Sequence, residues 1–391
     1  MRKGLKKQFT AVVLAVFTAG MLASSAFAGE DRTSQKDMAV EYLKSAIADK
    51  CPMVTYETED PLISSASYTY ENAIAAIALM SEGDYETAGL ILDALTAGME
   101  KDKVYSDRFR NAYMAGKASD LPGYWNDEAK KWFQDEYQVG TGTKSSCAAA
   151  VALMIGYKET QKDEYLNAAA SGVSWVINNC ADDTPGFTSG YTGWPQENVS
   201  TTFTYKSTAD NIWMYAAASM LGAATGWEIY TDAASSAREF VTESMYSAGD
   251  SRFFQGTEED GETPVTNLIC ADIQALTALC FGDESGLDNM DSCLTSEGGY
   301  SYDNSNTDGF WLEGTAIAAL ALSEADDPET SEQALAAMDA LQLSSGAFPQ
   351  ASIPTLATGE KDTEIYNWPS TGVCGWYILA VNGYNPLLTI Q

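Results

Sequence analysis

The sequence predicts an all-α fold, an (α/α)6 toroid of about six helical hairpins with long aromatic loops on one face. Three observations predict it. First, one helical design recurs: YTYENAIAAIALM (Tyr68 to Met80), STADNIWMYAAASML (Ser207 to Leu221), LICADIQALTALC (Leu268 to Cys280) and FWLEGTAIAALAL (Phe310 to Leu322) each place a carboxylate in the first turn, then an Ala-rich apolar run. Second, each such helix is apolar nearly all round and is followed by one charged along a single face, the difference expected between a buried inner helix and a solvated outer one. Third, short turns alternate with long connections, so successive antiparallel hairpins would gather every long loop, and the N-terminus of every inner helix, on one face.

In chain order, Met1–Ala28 reads as a bacterial secretory signal: basic Arg2, Lys3, Lys6 and Lys7, an apolar run from Ala11 to Ala23, then Ala26-Phe27-Ala28. From Gly29 onward no change of composition divides the chain, so 29–391 is expected to form one toroid domain, and no later run is long and apolar enough to span a bilayer. Helices are expected at Gln35–Ala48, Thr69–Met80 with Tyr85–Gly98, Ser145–Tyr157 with Glu164–Asn178, the helix beginning at Ser207 with Tyr230–Tyr246, Asn267–Cys280 with Gly286–Cys293, Gly314–Ser323 with Pro328–Leu341, and Ser370–Val381. In the Ser207 helix, Ser207 or Thr208 caps the start, Asp210 meets the helix dipole and Gly226 ends the run. The last helix should pair with the first to close the ring. One hairpin is expected around Asp260-Gly261. The long connections are Lys101–Thr143, Ala181–Lys206, Ser247–Thr266, Leu294–Gly309 and Gln342–Pro369; loops of this length are usually functional.

Composition removes whole classes of chemistry. The chain contains no histidine, which excludes Ser-His-Asp and Cys-His triads, His-ligated zinc and a His general base. With the leader removed, 18 of the 22 basic residues remain against 55 acidic ones, a surface that repels nucleic acid and anionic membranes. The same balance disfavours polyuronate ligands, and an acidic coat for solubility is an equal reading of it. Of seven cysteines, Cys147, Cys270, Cys280 and Cys374 fall in apolar helical runs as small core residues, and Cys280 with Cys293 is the one disulfide the turn between their helices suggests. No spacing calls for a metal or other cofactor, and oligomeric state is not legible.

The hairpin count, the aromatic loops, WLEGTAIAALAL (Trp311 to Leu322) and WPSTGVCGWYILAVNGYNP (Trp368 to Pro386) together resemble secreted bacterial proteins of the six-hairpin glycosidase superfamily, over essentially the whole chain after the leader. Within it, STADNIWMYAAASML is similar to the signature helix of the family 8 endoglucanases. Asp210 matches the second Asp of that pattern, and Thr208 stands at the place of the first. The resemblance implies a glycoside hydrolase without a cofactor.

Glycosidic bonds are cleaved by two carboxylates, one protonated and one ionised. Glu71, Asp210, Asp272 and Glu313 would all face the funnel formed by the inner helices, with Glu71 and Asp210 the first choice of pair. Each is also an ordinary first-turn acid, worth about 0.3–1 kcal/mol to its helix. Tyr70, Asn72, Asn211 and Trp213 flank that pair, and Trp311 lies beside Glu313. Trp125, Trp194 and Trp368, with Tyr105, Tyr124, Tyr191, Tyr300, Tyr302 and Tyr366, are flat amphipathic rings in the connections or at helix mouths, suited to sugar faces. Asp107 and Arg108 are further loop-face candidates, or an ion pair fixing that loop. A neutral oligo- or polysaccharide hydrolase is the leading expectation. A non-catalytic glycan-binding or cell-envelope protein is the alternative, and a polysaccharide lyase is a third reading disfavoured by the missing histidine.

Overall fold

Runs of Ala, Leu, Ile and Met with no polar face can only be helices buried on all sides, and the ring is built from six of them. The computed structural model describes residues 31–102, 106–194, 199–360 and 363–388. The expected leader, Met1–Ala28, and the expected sugar-stacking Tyr105 lie outside the described residues. The helices are α1 (Thr33–Asp49), α2 (Thr69–Ser81), α3 (Tyr85–Glu100), a single turn α4 (Glu136–Val139), α5 (Thr143–Thr160), α6 (Asp163–Cys180) and α7 (Thr208–Thr225). There follow α8 (Glu228–Glu239), continued by a π-turn at Phe240–Ser244, α9 (Ala271–Phe281), a 3-10 helix (Glu284–Cys293), α10 (Leu312–Glu324), α11 (Pro328–Asp339) and α12 (Thr371–Asn382).

Helices α2, α5, α7, α9, α10 and α12 pack on one another in that order, and α12 packs back on α2, which closes the ring. Outside them lie α3, α6, α8, the 3-10 helix, α11 and finally α1, which packs on α12 as the pairing of last with first requires. The fold is the (α/α)6 toroid. Close approach of α12 to α2 depends on glycine: a Cβ at Gly372 would sit 2.7 Å from Glu71 Cγ. On the short-turn face, Gly226 and Gly282 end α7 and α9 in the left-handed conformation, φ 69° and 66°, which only glycine adopts freely. The outer helices start on Asp84, Asp283 and Asp327, whose carboxylates accept the backbone N–H of Thr87, Ser285 and Thr330.

One device repeats at the loop face. Asn72 on α2 accepts from Met53 N at 3.3 Å and donates to Met53 O at 3.5 Å. Asn211 on α7 does the same to Phe187 at 2.8 and 3.0 Å, and Gln274 on α9 to Phe253 at 2.9 and 2.8 Å. Thr315 on α10 serves Tyr300 with one hydroxyl, at 2.9 and 3.3 Å. Each buried side chain therefore satisfies both polar groups of one residue in an incoming segment, a pairing worth about 1 kcal/mol per bond and more if broken.

One expectation fails here and another is met only in part. Cys280 and Cys293 are both free thiols. The connection after α9 reverses the chain, so Cys293 returns to the start of α9, where its Sγ donates to Ile269 O at 3.2 Å, whereas Cys280 lies near the far end of that helix. The hairpin expected at Asp260-Gly261 is present in minimal form, as a turn closed by one antiparallel bridge. Asp260 Oδ1 accepts from Glu262 N and Thr263 N, and the antiparallel bridge Thr257–Pro264 is flanked by Glu258 N donating to Thr263 O at 2.8 Å and Val265 N donating to Gly256 O at 2.9 Å. The extended strand pair of this connection is Tyr246–Ser247 with Arg252–Phe253. Other short strands stitch the long connections together, among them Thr141–Gly142, Gly190–Trp194 and Val199–Thr202 in one sheet.

Candidate active site

The first turns of five inner helices converge on the funnel floor. Glu71 comes from α2, Lys144 from α5, Asp210 from α7, Asp272 from α9 and Glu313 from α10. Asp210, Asp272 and Glu313 are buried, and Glu71, partly exposed as a residue, has its Oε2 shielded from solvent. The start of α7 is capped by the Ser207 hydroxyl, so Asp210 is spared that task; the residues preceding α2, α9 and α10 make no side-chain cap at all. Glu71 Oε2 and Asp272 Oδ1 have no hydrogen-bond partner among the described residues. An unpaired buried carboxylate oxygen is costly, which marks these groups as something other than helix caps.

Burial sets the electrostatics, overriding the favourable helix dipole. It pushes Glu71 up to about 7, with Tyr56 Oη donating to Oε1 at 2.7 Å in opposition and the Glu313 charge adding to the rise. Burial likewise pushes Asp272 up to about 7, against the Lys144 charge and with Glu313 and Glu360 raising it further. Asp210 is pushed by burial to about 6, held back by Ser189 and Lys144. Glu313 is raised by burial, with Lys144 and a 3.0 Å bond from the Tyr70 hydroxyl working in the other direction. Lys144 thus acts on all four carboxylates, and its Nζ rests 4.0 Å from the centroid of the Tyr70 ring. Tyr70 in turn accepts from the Trp376 indole at 3.0 Å.

A cleft of about 620 Å³ opens above Asp210 and Lys144, lined also by Tyr205, Gln255, Tyr302 and Glu360. Tyr302 Oη and Gln255 Nε2 donate to Glu360 Oε1 at 2.9 and 3.3 Å. Tyr137, from α4, lines the same cleft and feels the charges of both Glu71 and Asp210.

Of the residues expected to bind substrate, Tyr70 and Trp368 belong to this floor and its rim. Trp368 stacks on Tyr366 at 4.7 Å and lies 6.4 Å from Tyr56, the partner of Glu71. The others are placed elsewhere. Asn72 and Asn211, one residue beyond the acids and so rotated about 100° around the helix, are the backbone clamps described above. Trp213 is fully buried, its ring edge-on to Tyr70 at 5.8 Å and to Trp376 at 6.3 Å, and so forms the axis of the core rather than a sugar platform. Trp311 is buried against Tyr302 at 5.1 Å and packs with Ala351, Leu356 and Ile365. Tyr300 is buried also.

Trp194 donates to Gln134 Oε1 at 3.0 Å and ties its strand to the segment before α4. Trp125 faces Trp132 across a two-stranded hairpin, 52% exposed, with its indole on Asp127. Tyr124 stacks on Phe133 in that hairpin. Arg108 is buried under its loop, bonded to Thr141 Oγ1 and over the Tyr191 ring at 5.3 Å, while Asp107 faces the outer wall beside α6. The ion pair that fixes this segment is Arg110 with Asp102 at 2.5 Å, not Asp107 with Arg108.

Sequence reading missed Lys144, Tyr56, Tyr137 and Glu360. Lys144 had a signal: it is the sole charged residue in the first turn of α5, where four of the other inner helices carry an acid. Tyr56, Tyr137 and Glu360 lie in connections whose course depends on tertiary packing.

No family model matches the sequence, and no curated relative does. Solved structures do match in shape. A glycosidase variant in complex with glucose aligns with TM-score 0.62 at 11% identity, over 91% of this chain and 99% of its own. Cellobiose 2-epimerase from Bacillus thermoamylovorans aligns with TM-score 0.59 at 10% identity, over 88% and 98%. An alpha-mannanase from Bacteroides thetaiotaomicron aligns with TM-score 0.56 at 13% identity, over 90% and 96%. The likeness is one of fold: the chain shares the (α/α)6 toroid with these structures. At such identities the shared toroid leaves the reaction to be argued from the site.

Proposed function

We propose that this protein is a carbohydrate-active enzyme, a glycoside hydrolase acting on a neutral oligo- or polysaccharide with Glu71 as general acid and Asp210 as the ionised partner. The observation that carries the reading is the convergence of four buried carboxylates and one lysine at the mouths of inner helices. Glu71, at about 7, keeps its proton near neutrality and has an oxygen free to deliver it to the leaving group. Asp210, at about 6 and beside Lys144, is the more readily ionised of the two and opens into the cleft. It acts on the anomeric carbon directly or through a water, according to whether the pair stands about 5 Å or about 6.5–9.5 Å apart. Lys144 favours ionisation of both members of the pair, and Glu313 raises Glu71. The glycosidase structures that share the fold support the same class. The N-terminal basic-then-apolar segment, ending Ala26-Phe27-Ala28, supports export, and one toroid domain over 29–391 is part of the proposal.

One observation favours a second reaction on the same sugars. Glu71 and Asp272 both stand at about 7, which suits a base that removes a proton next to a carbonyl and an acid that returns one, and one structure sharing the fold is a 2-epimerase. Product analysis on gluco- and manno-oligosaccharides separates the two: hydrolysis shortens the chain, whereas epimerisation preserves its length and changes the reducing-end sugar. Chain shortening supports the hydrolase, and an isomer of unchanged length supports the epimerase.

A further inference from the structure

We infer that a second glycan site lies outside the funnel, in the groove between α6 and α8 on the outer wall. Outer helices of this strongly acidic chain carry charges along their solvent faces, as Glu329 and Glu332 do on α11. Helix α6 departs from that: after Asp163 and Glu164 in its first turn, Tyr165–Cys180 contains no charged residue. Its solvent stripe is instead Asn167, Ser171, Ser174, Trp175, Asn178 and Asn179, at helical spacing along one side of a groove of about 620 Å³.

The opposite side is aromatic. Trp227, in the turn before α8, is 59% exposed, and its ring stacks flat on Tyr230 at 6.0 Å and 10°. Tyr230 is anchored beneath it, its hydroxyl sharing a hydrogen bond with Ser174 Oγ at 3.1 Å. Trp227 covers Tyr230 on one side and leaves more than half of its own surface exposed to the groove. A rigid exposed indole face opposite a row of amides and hydroxyls fits a neutral sugar, with its apolar ring face and hydroxyl edges. Among the described residues that line the groove there is neither lysine nor arginine, and Asp107 is the one charge, which disfavours an anionic ligand. A concave polar trough is also unlike the wide apolar patch of a self-association surface.

The choice of a sugar probe rests on the carbohydrate reading above, so binding is measured independently of catalysis. Calorimetric titration of the Glu71→Gln protein with maltohexaose, cellohexaose and mannohexaose is compared with the same protein carrying Trp227→Ala or Trp227→Phe. Saturable binding of at least one hexaose, about tenfold weaker with Trp227→Ala and largely kept by Trp227→Phe, is expected. With Glu71 intact, Trp227→Ala should leave turnover of short aryl glycosides unchanged. Trp227-dependent binding by a protein that hydrolyses nothing would uphold the groove and reject the hydrolase. Affinity indifferent to Trp227→Ala, no binding of any hexaose, or a dimer on light scattering that Trp227→Ala dissociates would each overturn the outer site.

Discussion

The Tyr70 hydroxyl donates to Glu313 Oε1 at 3.0 Å, and through this bond the core of the ring reaches the charge at its centre. The same hydroxyl accepts from Trp376, and Lys144 covers the ring. Tyr70→Phe should therefore act in two ways. Loss of the bond leaves the buried Trp376 indole unpaired and costs about 1–3 kcal/mol of stability, read from denaturant unfolding. It also raises the Glu313 carboxyl further, so kcat should fall about tenfold while KM changes little. A KM effect without a kcat effect would place Tyr70 on the substrate rather than behind Glu313.

The rate should follow a bell with limbs near 6 and 7, belonging to the Asp210 and Glu71 carboxyls acting together. Lys144→Met removes a positive charge that favours ionisation of Asp210, so the acid limb should move upward. A profile of kcat/KM against pH in both proteins checks this; an acid limb unmoved by Lys144→Met would detach the lysine from the reacting pair.

Stability should fall as pH rises through the same range. Glu71, Asp210 and Asp272 have folded values above their unfolded ones, so between about 4 and 7 the native state binds more protons than the unfolded state. With more protons on the native side, the unfolding free energy decreases with pH, and the full penalty is present above about 7. Glu71→Gln should accordingly raise the melting temperature at pH 8 and change it little at pH 4. Equal shifts at both pH values would mean that Glu71 is not held protonated by burial.

Asn211→Ala tests the clamps. Removing the side chain that satisfies both Phe187 N and Phe187 O should cost about 2–4 kcal/mol and leave the pH profile of the remaining activity unchanged. A shifted limb would return Asn211 to the site.

The toroid was legible because burial on both sides leaves a mark: helices as apolar as Leu312–Glu324 have no solvent face, and their partners, such as Pro328–Asp339, do. The four acids were legible for a related reason, since a carboxylate next to a fully buried run is conspicuous. Their neighbours were not. Asn72 and Asn211 sit beside Glu71 and Asp210 in sequence, but one position around a helix turns a side chain from the funnel to the wall. Tyr56, Tyr137 and Glu360 come from connections placed by pairings such as Tyr56 with Ser370, between residues far apart in the chain, that carry no local pattern. Lys144 was hidden by an expectation of acids alone.

Release of new reducing ends from neutral glycans, measured for the wild type, Glu71→Gln and Asp210→Asn, is the most direct test of the carboxylate pair. Hydrolysis by the wild type that falls at least about a thousandfold in each variant, with both folded, is the predicted result. Hydrolysis that survives both changes, or a wild type that cleaves no glycan it binds, would contradict it.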